Sequence, residues 1–277
     1  KIRWYSPLDA ASSEIARYSE QLLPSLQRYA EVVSVSDAST GPEEWAAPPE
    51  DAGVASLPVY HIGNNPLHLP IYQRALQEPG LVVLHDLSLV DLARHLSHQL
   101  DQPELWKDMM CRQYGDDVRA LVNRSEKSVA DYNEMVANYP LFQPFVAGSL
   151  GVLVHSRYAL EALQRQLVPG TPLLRLNLPA PTAAAGEPPP TASGALRFVF
   201  CGHVGPNRRL VEFLQAWGSL PAPERINLDL FGNISSSRQL LQHAAQFGVE
   251  QYIRINGYVS DGELERAERW GAGLARL

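Results

Sequence analysis

At 277 residues, with 45% hydrophobic and 19% charged residues, the chain has the composition of a folded globular protein and room for two domains, each with its own core. A formal net charge of −7 excludes a general nucleic-acid or anionic-membrane binder, so any anion site must be a local cluster of cations. No run reaches the roughly 18 apolar residues of a membrane span.

The chain starts at Lys1 with no signal-peptide pattern, and its two cysteines, Cys111 and Cys201, read as free thiols. Both features fit a reducing, cytoplasmic location. Ile2 to Tyr5 is a first strand, broken by Ser6-Pro7. Ser12 and Ser13 are N-cap candidates for a helix that places Ile15, Tyr18, Leu22, Leu26 and Tyr29 on one face, with Pro24 as a kink site. Val32 to Val35 is a second strand, and residues 37 to 57, rich in Pro, Ala, Glu and Gly, form a surface loop.

Val59 to Ile62 is a third strand, ending in the turn signal Gly63-Asn64-Asn65-Pro66. A helix over about Leu69 to Gln77 leads to a fourth, central strand, Leu81 to Leu84, which ends at His85-Asp86. From Ser88 to about Gly148 helical periodicity takes over. Leu89, Leu92, Ala93 and Leu96 line one face, and Trp106, Met109, Met110 and Tyr114 line another. Strand character returns at Gly151 to Val154, followed by His155-Ser156, a helix carrying Leu160, Leu163 and Leu167, and a sixth strand at Leu173 to Leu176.

The proline-rich run 179–194 marks a linker between a domain over 1–178, with its helical insertion at about 88–148, and a second over 195–277. In the second domain Phe198 to Cys201, Leu228 to Phe231 and Ile253 to Ile255 are strands, with helices at about 208–218, 238–247 and 262 to the end. Alternating strands and helices give an α/β fold with two Rossmann-like parallel sheets, the second incomplete.

In an open α/β sheet, ligands bind beyond the carboxyl ends of the strands. The residues at those ends are Ser6-Pro7, Gly63-Asn64-Asn65, His85-Asp86, His155-Ser156, Gly202-His203, Gly232-Asn233 and Gly257-Tyr258. Facing domains would line a cleft with them. After Phe198 to Cys201 the glycine turn (Gly202, Gly205, Pro206) delivers Arg208 and Arg209 to a helix N-terminus, where N–H groups and the helix dipole favour phosphate. His85-Asp86 is the titratable pair best suited to acid, base or hydrogen-bond work. There is no GxGxxG after a strand, no GxxxxGK[ST] and no GxSxG. His95 and His98 share a helix face without a third ligand, so no metal site is assigned.

Together, RWYSPLDAASSEIARYSEQLLPSL, YHIGNNPLHLPIYQRAL, PGLVVLHDLSL, VLVHSRYALEAL, FVFCGHVGPNRRLVEFLQAW, INLDLFGN and IRINGYVSDGELERA resemble, in order, the GT-B glycosyltransferases of the retaining GT4 type. The resemblance implies transfer of a sugar from a nucleotide-sugar donor, UDP- or GDP-linked, with retention and without a metal or other cofactor. The implied acceptor is a carbohydrate, a lipid-linked glycan or a protein. Arg208 matches a basic residue facing the donor diphosphate; Arg209 stands where glycine is common. Gly202 and His203 match the turn beneath the phosphates, Tyr258 lies where the backbone contacts the base, and Asn233 belongs to the same donor side. His85, with Asp86, matches the histidine near sugar and acceptor, beside Asn64 and Asn65.

Glu14 departs from the pattern, replacing a glycine that allows close backbone approach to ligand. The chain also ends before the paired-glutamate segment of that family, so truncation in the C-terminal domain is expected. A degenerate, non-catalytic glycan- or partner-binding relative and a sugar-nucleotide epimerase are the alternatives. Oligomeric state is not legible.

Overall fold

A computed structural model describes residues 1–9, 13–35, 56–167, 170–179, 196–202, 208–234, 236–259, 263 and 273–276. The chain divides into two units, Lys1–Pro181 and Thr182–Leu277. Among the described residues no helix is long and apolar enough to cross a membrane, and Cys111 and Cys201 are unbridged.

In the first unit six strands, β1 (Ile2–Tyr5), β2 (Val32–Val35), β3 (Leu57–Ile62), β4 (Leu81–Leu84), β5 (Gly151–Val154) and β6 (Leu173–Arg175), form one parallel sheet. Their order is β2-β1-β3-β4-β5-β6. The chain steps outward from β1 to β2, then crosses back to β3, so the order reverses between β1 and β3. Such a reversal opens a crevice at the carboxyl ends of those two strands.

Period-two alternation sorts the strand residues onto two faces. Tyr60, Ile62, Val82, Leu84, Val152 and Val154 meet the larger apolar cluster, which includes α2 (Leu69–Gln77) and α8 (Arg157–Gln166). The insertion adds α3 (Val90–Gln99), α4 (Leu105–Tyr114), α5 (Arg119–Ser125), α6 (Val129–Asn138) and α7 (Gln143–Val146) to the same cluster. Leu89, Leu92, Met110, Val122, Met135 and Phe142 in it are wholly buried, each contributing about 1.5–3 kcal/mol of apolar burial. The aromatic and methionine stripe is therefore core.

On the opposite face Trp4, Val59, Val83 and Leu153 pack against Tyr18, Leu22, Leu23 and Leu26 of α1 (Glu14–Leu26). The Ser13 hydroxyl caps α1 by accepting from the Ile15 N–H at 3.2 Å. Ser19, wholly buried, accepts from the Trp4 indole at 3.0 Å and lies 2.8 Å from the Ser6 hydroxyl, tying α1 to the end of β1. Pro24 sits in the last turn, and the helix stops two residues later. Tyr29, expected on the buried face, lies beyond that end and is 84% exposed.

At the amino edge of this sheet, away from the strand ends, buried Arg3 donates to both carboxylate oxygens of Glu78, which also accepts from Arg74.

In the second unit β7 (Leu196–Cys201), β8 (Ile226–Phe231), β9 (Ile253–Gly257) and β10 (Gly273–Arg276) form a parallel sheet of order β10-β7-β8-β9. Helices α9 (Leu210–Gly218) and α10 (Ser237–Gln246) share an apolar cluster with Phe198, Phe200, Leu228, Leu230, Ile253 and Ile255 through Leu214, Trp217, Leu240 and Ala244.

The expected helix from 262 to the end is corrected at residues 273–276, which form β10. Ala, Leu and Arg there suit a helix, but Gly271 and Gly273 oppose one. The open edge of β7 instead satisfies the backbone groups of the segment as a strand. This placement matters, because the order now reverses between β7 and β10. The second unit thus has its switch point at the end of β7, just before Gly202.

Candidate functional site at the strand ends

The carboxyl edge of the first sheet carries a cluster of histidines. His61 pairs with Val83 in register, and Val83 with Leu153. His61 therefore shares the α1 face of the sheet, and His85 and His155 follow one strand period beyond Val83 and Leu153. The His85 N–H donates to the Ile62 carbonyl at 2.9 Å, which carries the β3–β4 ladder one residue further. Tyr18 of α1 lies against all three rings, with centroids 5.0 Å from His85, 5.2 Å from His155 and 5.6 Å from His61. Trp4 covers the far side of His61 at 4.2 Å.

Hydrogen bonds order the rings. His61 Nδ1 and His85 Nε2 are 2.9 Å apart. His68, in the turn Pro66–His68, donates from Nδ1 to the His61 carbonyl at 2.8 Å. His155 donates from Nδ1 to the Leu176 carbonyl at 3.0 Å. The Nε2 atoms of His61, His68 and His155 are buried and have no hydrogen-bond partner among the described residues.

Burial disfavours the charged form of every member. It pushes His61 well below the ordinary imidazole range, helped by His85, His68 and His155 nearby. His85 is pushed down to about 3 by burial and by His155 and His68. Burial also lowers His68, against its backbone hydrogen bond and Asp86, and lowers His155. At neutral pH these are uncharged rings. Among the described residues no group of three or more His, Cys, Asp or Glu side chains is placed to hold a metal ion.

Around the cluster, Asp86 is exposed and accepts from the Asn64 N–H at 2.8 Å. The Asn64 side-chain oxygen accepts from the N–H groups of Asp91 and Leu92 at 2.9 and 3.0 Å, and its amide donates to Asp91 at 3.0 Å. Asn65 caps the turn Pro66–His68 by accepting from the Leu67 N–H at 2.9 Å. Both asparagines, expected on the acceptor side, thus have their oxygens engaged in capping. Glu14 opens α1 with its side chain 89% exposed and 4.0 Å from Arg17, a favourable place for an acid at a helix N-terminus.

In the second unit the strand ends lock together through backbone. The Gly202 N–H donates to the Phe231 carbonyl at 2.9 Å, and the Gly232 N–H to the Gly257 carbonyl at 2.7 Å. A Cβ on Gly232 would stand 2.2 Å from the Gly202 carbonyl oxygen, and its φ of +114° also demands glycine. His203 lies outside the described residues, as do 204–207.

Arg208, half-buried just ahead of α9, makes no ion pair among the described residues. Arg209 is the N-cap of α9 with φ +53°, a left-handed conformation. Glycine adopts that conformation without strain. Its guanidinium donates to Glu212 at 3.0 Å. Asn233 and Tyr258 are exposed after β8 and β9, Tyr258 at 86%. Arg197 is engaged by buried Asp229, which also accepts from Asn256 at 3.3 Å.

His61 and His68 are the members that sequence reasoning passed over. For His61 the signal was present: Val59-Tyr60-His61, Val83-Leu84-His85 and Leu153-Val154-His155 repeat an apolar-x-His pattern at the ends of three neighbouring strands.

No protein-family model matches this sequence, and a search of curated proteins returns no match. Among solved structures, the chain is similar to the apo form of the lipopolysaccharide outer core galactosyltransferase WaaB at 11% identity and a TM-score of 0.49, over 99% of this chain and 72% of that one. It is similar to WaaG, a glycosyltransferase involved in lipopolysaccharide biosynthesis, at 12% identity and a TM-score of 0.47, over 95% and 71%. A TarM variant of S. aureus, solved with fondaparinux, alpha-GlcNAc-glycerol and UDP, is similar at 10% identity and a TM-score of 0.45, over 79% and 36%.

Proposed function

We propose that the chain belongs to a GT-B glycosyltransferase that moves a sugar from a nucleotide-sugar donor to an acceptor, with retention and without a metal ion. The observation that carries this reading is the end of β7. A sheet whose order reverses there, Gly202 at the strand end and an arginine free of ion pairs among the described residues stand before a helix N-terminus. Switch points of open α/β sheets are where such folds take ligands, and helix N-termini favour phosphate.

In this reading Arg208 and the first N–H groups of α9 face the donor diphosphate. As the bond to the sugar breaks, the departing diphosphate gains negative charge, and fixed cations and N–H dipoles stabilise it without reorganising. Gly202 lies beneath the phosphates, and the backbone near Tyr258 contacts the base. His85, neutral and at the edge of its cluster, contacts the sugar or the acceptor. An uncharged imidazole leaves the stabilisation of the diphosphate to Arg208.

The test is turnover of UDP-, GDP- and dTDP-sugars with and without carbohydrate, lipid-linked and protein acceptors. The expected result is nucleoside diphosphate release that depends on the acceptor. Isomerisation of the donor with no acceptor present would make the protein an epimerase, and no stabilisation by any donor would make it a non-catalytic relative.

A further inference from the structure

The 2.9 Å contact between His61 Nδ1 and His85 Nε2 admits two proton arrangements, since one nitrogen must donate and the other accept. If His85 Nε2 donated, His61 would carry its single proton on Nε2. That atom is buried with no partner among the described residues, in a residue with no exposed surface. An orphaned buried N–H is rarer in folded proteins than an under-used acceptor. In the opposite arrangement His61 Nε2 is only a bare lone pair. His68 and His155 follow the same pattern: each is protonated on Nδ1, where it meets a carbonyl, and leaves a bare Nε2 in the interior.

We infer that His61 is a positioning residue that sets the tautomer of His85: His61 donates from Nδ1 to His85 Nε2, so His85 carries its proton on Nδ1 and offers it to the ligand. This rests on the proposed function only for the identity of that ligand, an oxygen of the donor sugar or the acceptor. The consequence is a definite role for His85. Its Nε2 lone pair is occupied and its Nδ1 is protonated, so it donates a hydrogen bond and does not abstract a proton. The groups facing it are Tyr18 from α1, His61 from β3, His68 from the turn, His155 after β5, and the neighbouring Asp86. Low polarity around His61 favours the neutral state that the arrangement requires.

The experiment is ¹⁵N-histidine NMR of the wild-type chain near pH 7, in which two-bond couplings distinguish protonated from bare ring nitrogens. The expected spectrum shows His85 and His61 each protonated on Nδ1; protonation of His85 on Nε2 would overturn the inference. His61→Phe keeps a ring against Trp4 and Tyr18 but removes the donor that fixes the tautomer, and should leave His85 as a mixture of Nδ1-H and Nε2-H forms. His61→Asn, with an amide near the place of Nδ1, should keep the His85 proton on Nδ1.

In turnover, His61→Phe should lower kcat about tenfold or more, and His61→Asn should restore most of it. Loss in both variants with an unchanged His85 tautomer would overturn the positioning role. If a variant fails to fold, the wild-type spectrum decides alone. A wild-type protein with the expected tautomer and no turnover of any nucleotide sugar would sink the proposed function and leave the tautomer assignment intact.

Discussion

A methyl group on Gly63 would stand 2.6 Å from Ile15 Cδ1, so the first turn of α1 closes directly over the turn that follows β3. The same methyl would meet His68 Nε2 at 2.9 Å and Asp86 Oδ2 at 3.3 Å. Glu14, at the position where the resemblance implies a glycine that lets the backbone approach a ligand, points into solvent. Gly63→Ala should destabilise the protein by about 1–3 kcal/mol. The check is a lower urea midpoint with an unchanged slope.

Gly232 is the corresponding position in the second unit, with its φ of +114° and the Gly202 carbonyl at contact distance. Gly232→Ala combines backbone strain with overpacking and should cost about 3 kcal/mol or more. Part of that cost should appear as displacement of the Gly202 turn, seen as amide shift changes at the end of β7. A variant as stable as wild type would show that the two strand ends are not in contact.

Asn64 has a structural role that its turn sequence conceals. Its side chain caps α3 from 27 positions earlier in the chain, and Asp91 in turn accepts from the Tyr132 hydroxyl at 2.8 Å. Asn64→Ala should cost about 1–2 kcal/mol of stability, measured by thermal or urea unfolding. If Asn64 instead serves the acceptor, the variant would melt like wild type and show a raised acceptor KM.

The histidine cluster gives the protein a defined response to acid. An imidazole whose folded pKa lies below its unfolded value of about 6.5 binds fewer protons when folded, so stability is full above that pH and falls below it. The limiting slope is about 1.4 kcal/mol per pH unit for each such ring. His61 loses stability over this range, and His85 continues to do so until about pH 3, where its folded form charges. Urea midpoints between pH 7.5 and 5 should fall more steeply for wild type than for His61→Phe. Equal slopes would mean that His61 is charged in the folded protein.

Much of the first unit was legible because its signals were strong and local. Leu81–Leu84 is a bare apolar run, and Leu69–Gln77 has clear apolar spacing between a proline turn and Pro79-Gly80. The segment 273–276 was not legible, because Leu274, Ala275 and Arg276 suit a helix and the strand arises from pairing with the distant β7. Tyr29 was assigned to a buried face because periodicity continues past the point where α1 stops. At the site, strand-end reasoning found His85 and His155 but counted His61 as an ordinary strand residue. Its role follows from the pairing of β3 with β4, which brings together residues 24 positions apart. Asn64 and Asn65 announced a turn correctly, while their use as caps depends on where α3 and Pro66–His68 begin.

The central claim is that Arg208 and the start of α9 bind the diphosphate of a nucleotide sugar. The direct measurement is calorimetric titration of wild type and Arg208→Ala with the preferred nucleoside diphosphate and with its parent nucleoside. A charge-assisted hydrogen bond of about 1.5–3 kcal/mol corresponds to a loss of roughly ten- to a hundredfold in diphosphate affinity. The account predicts that loss for the diphosphate and no change for the nucleoside. Equal losses for both, or none for either, would contradict it.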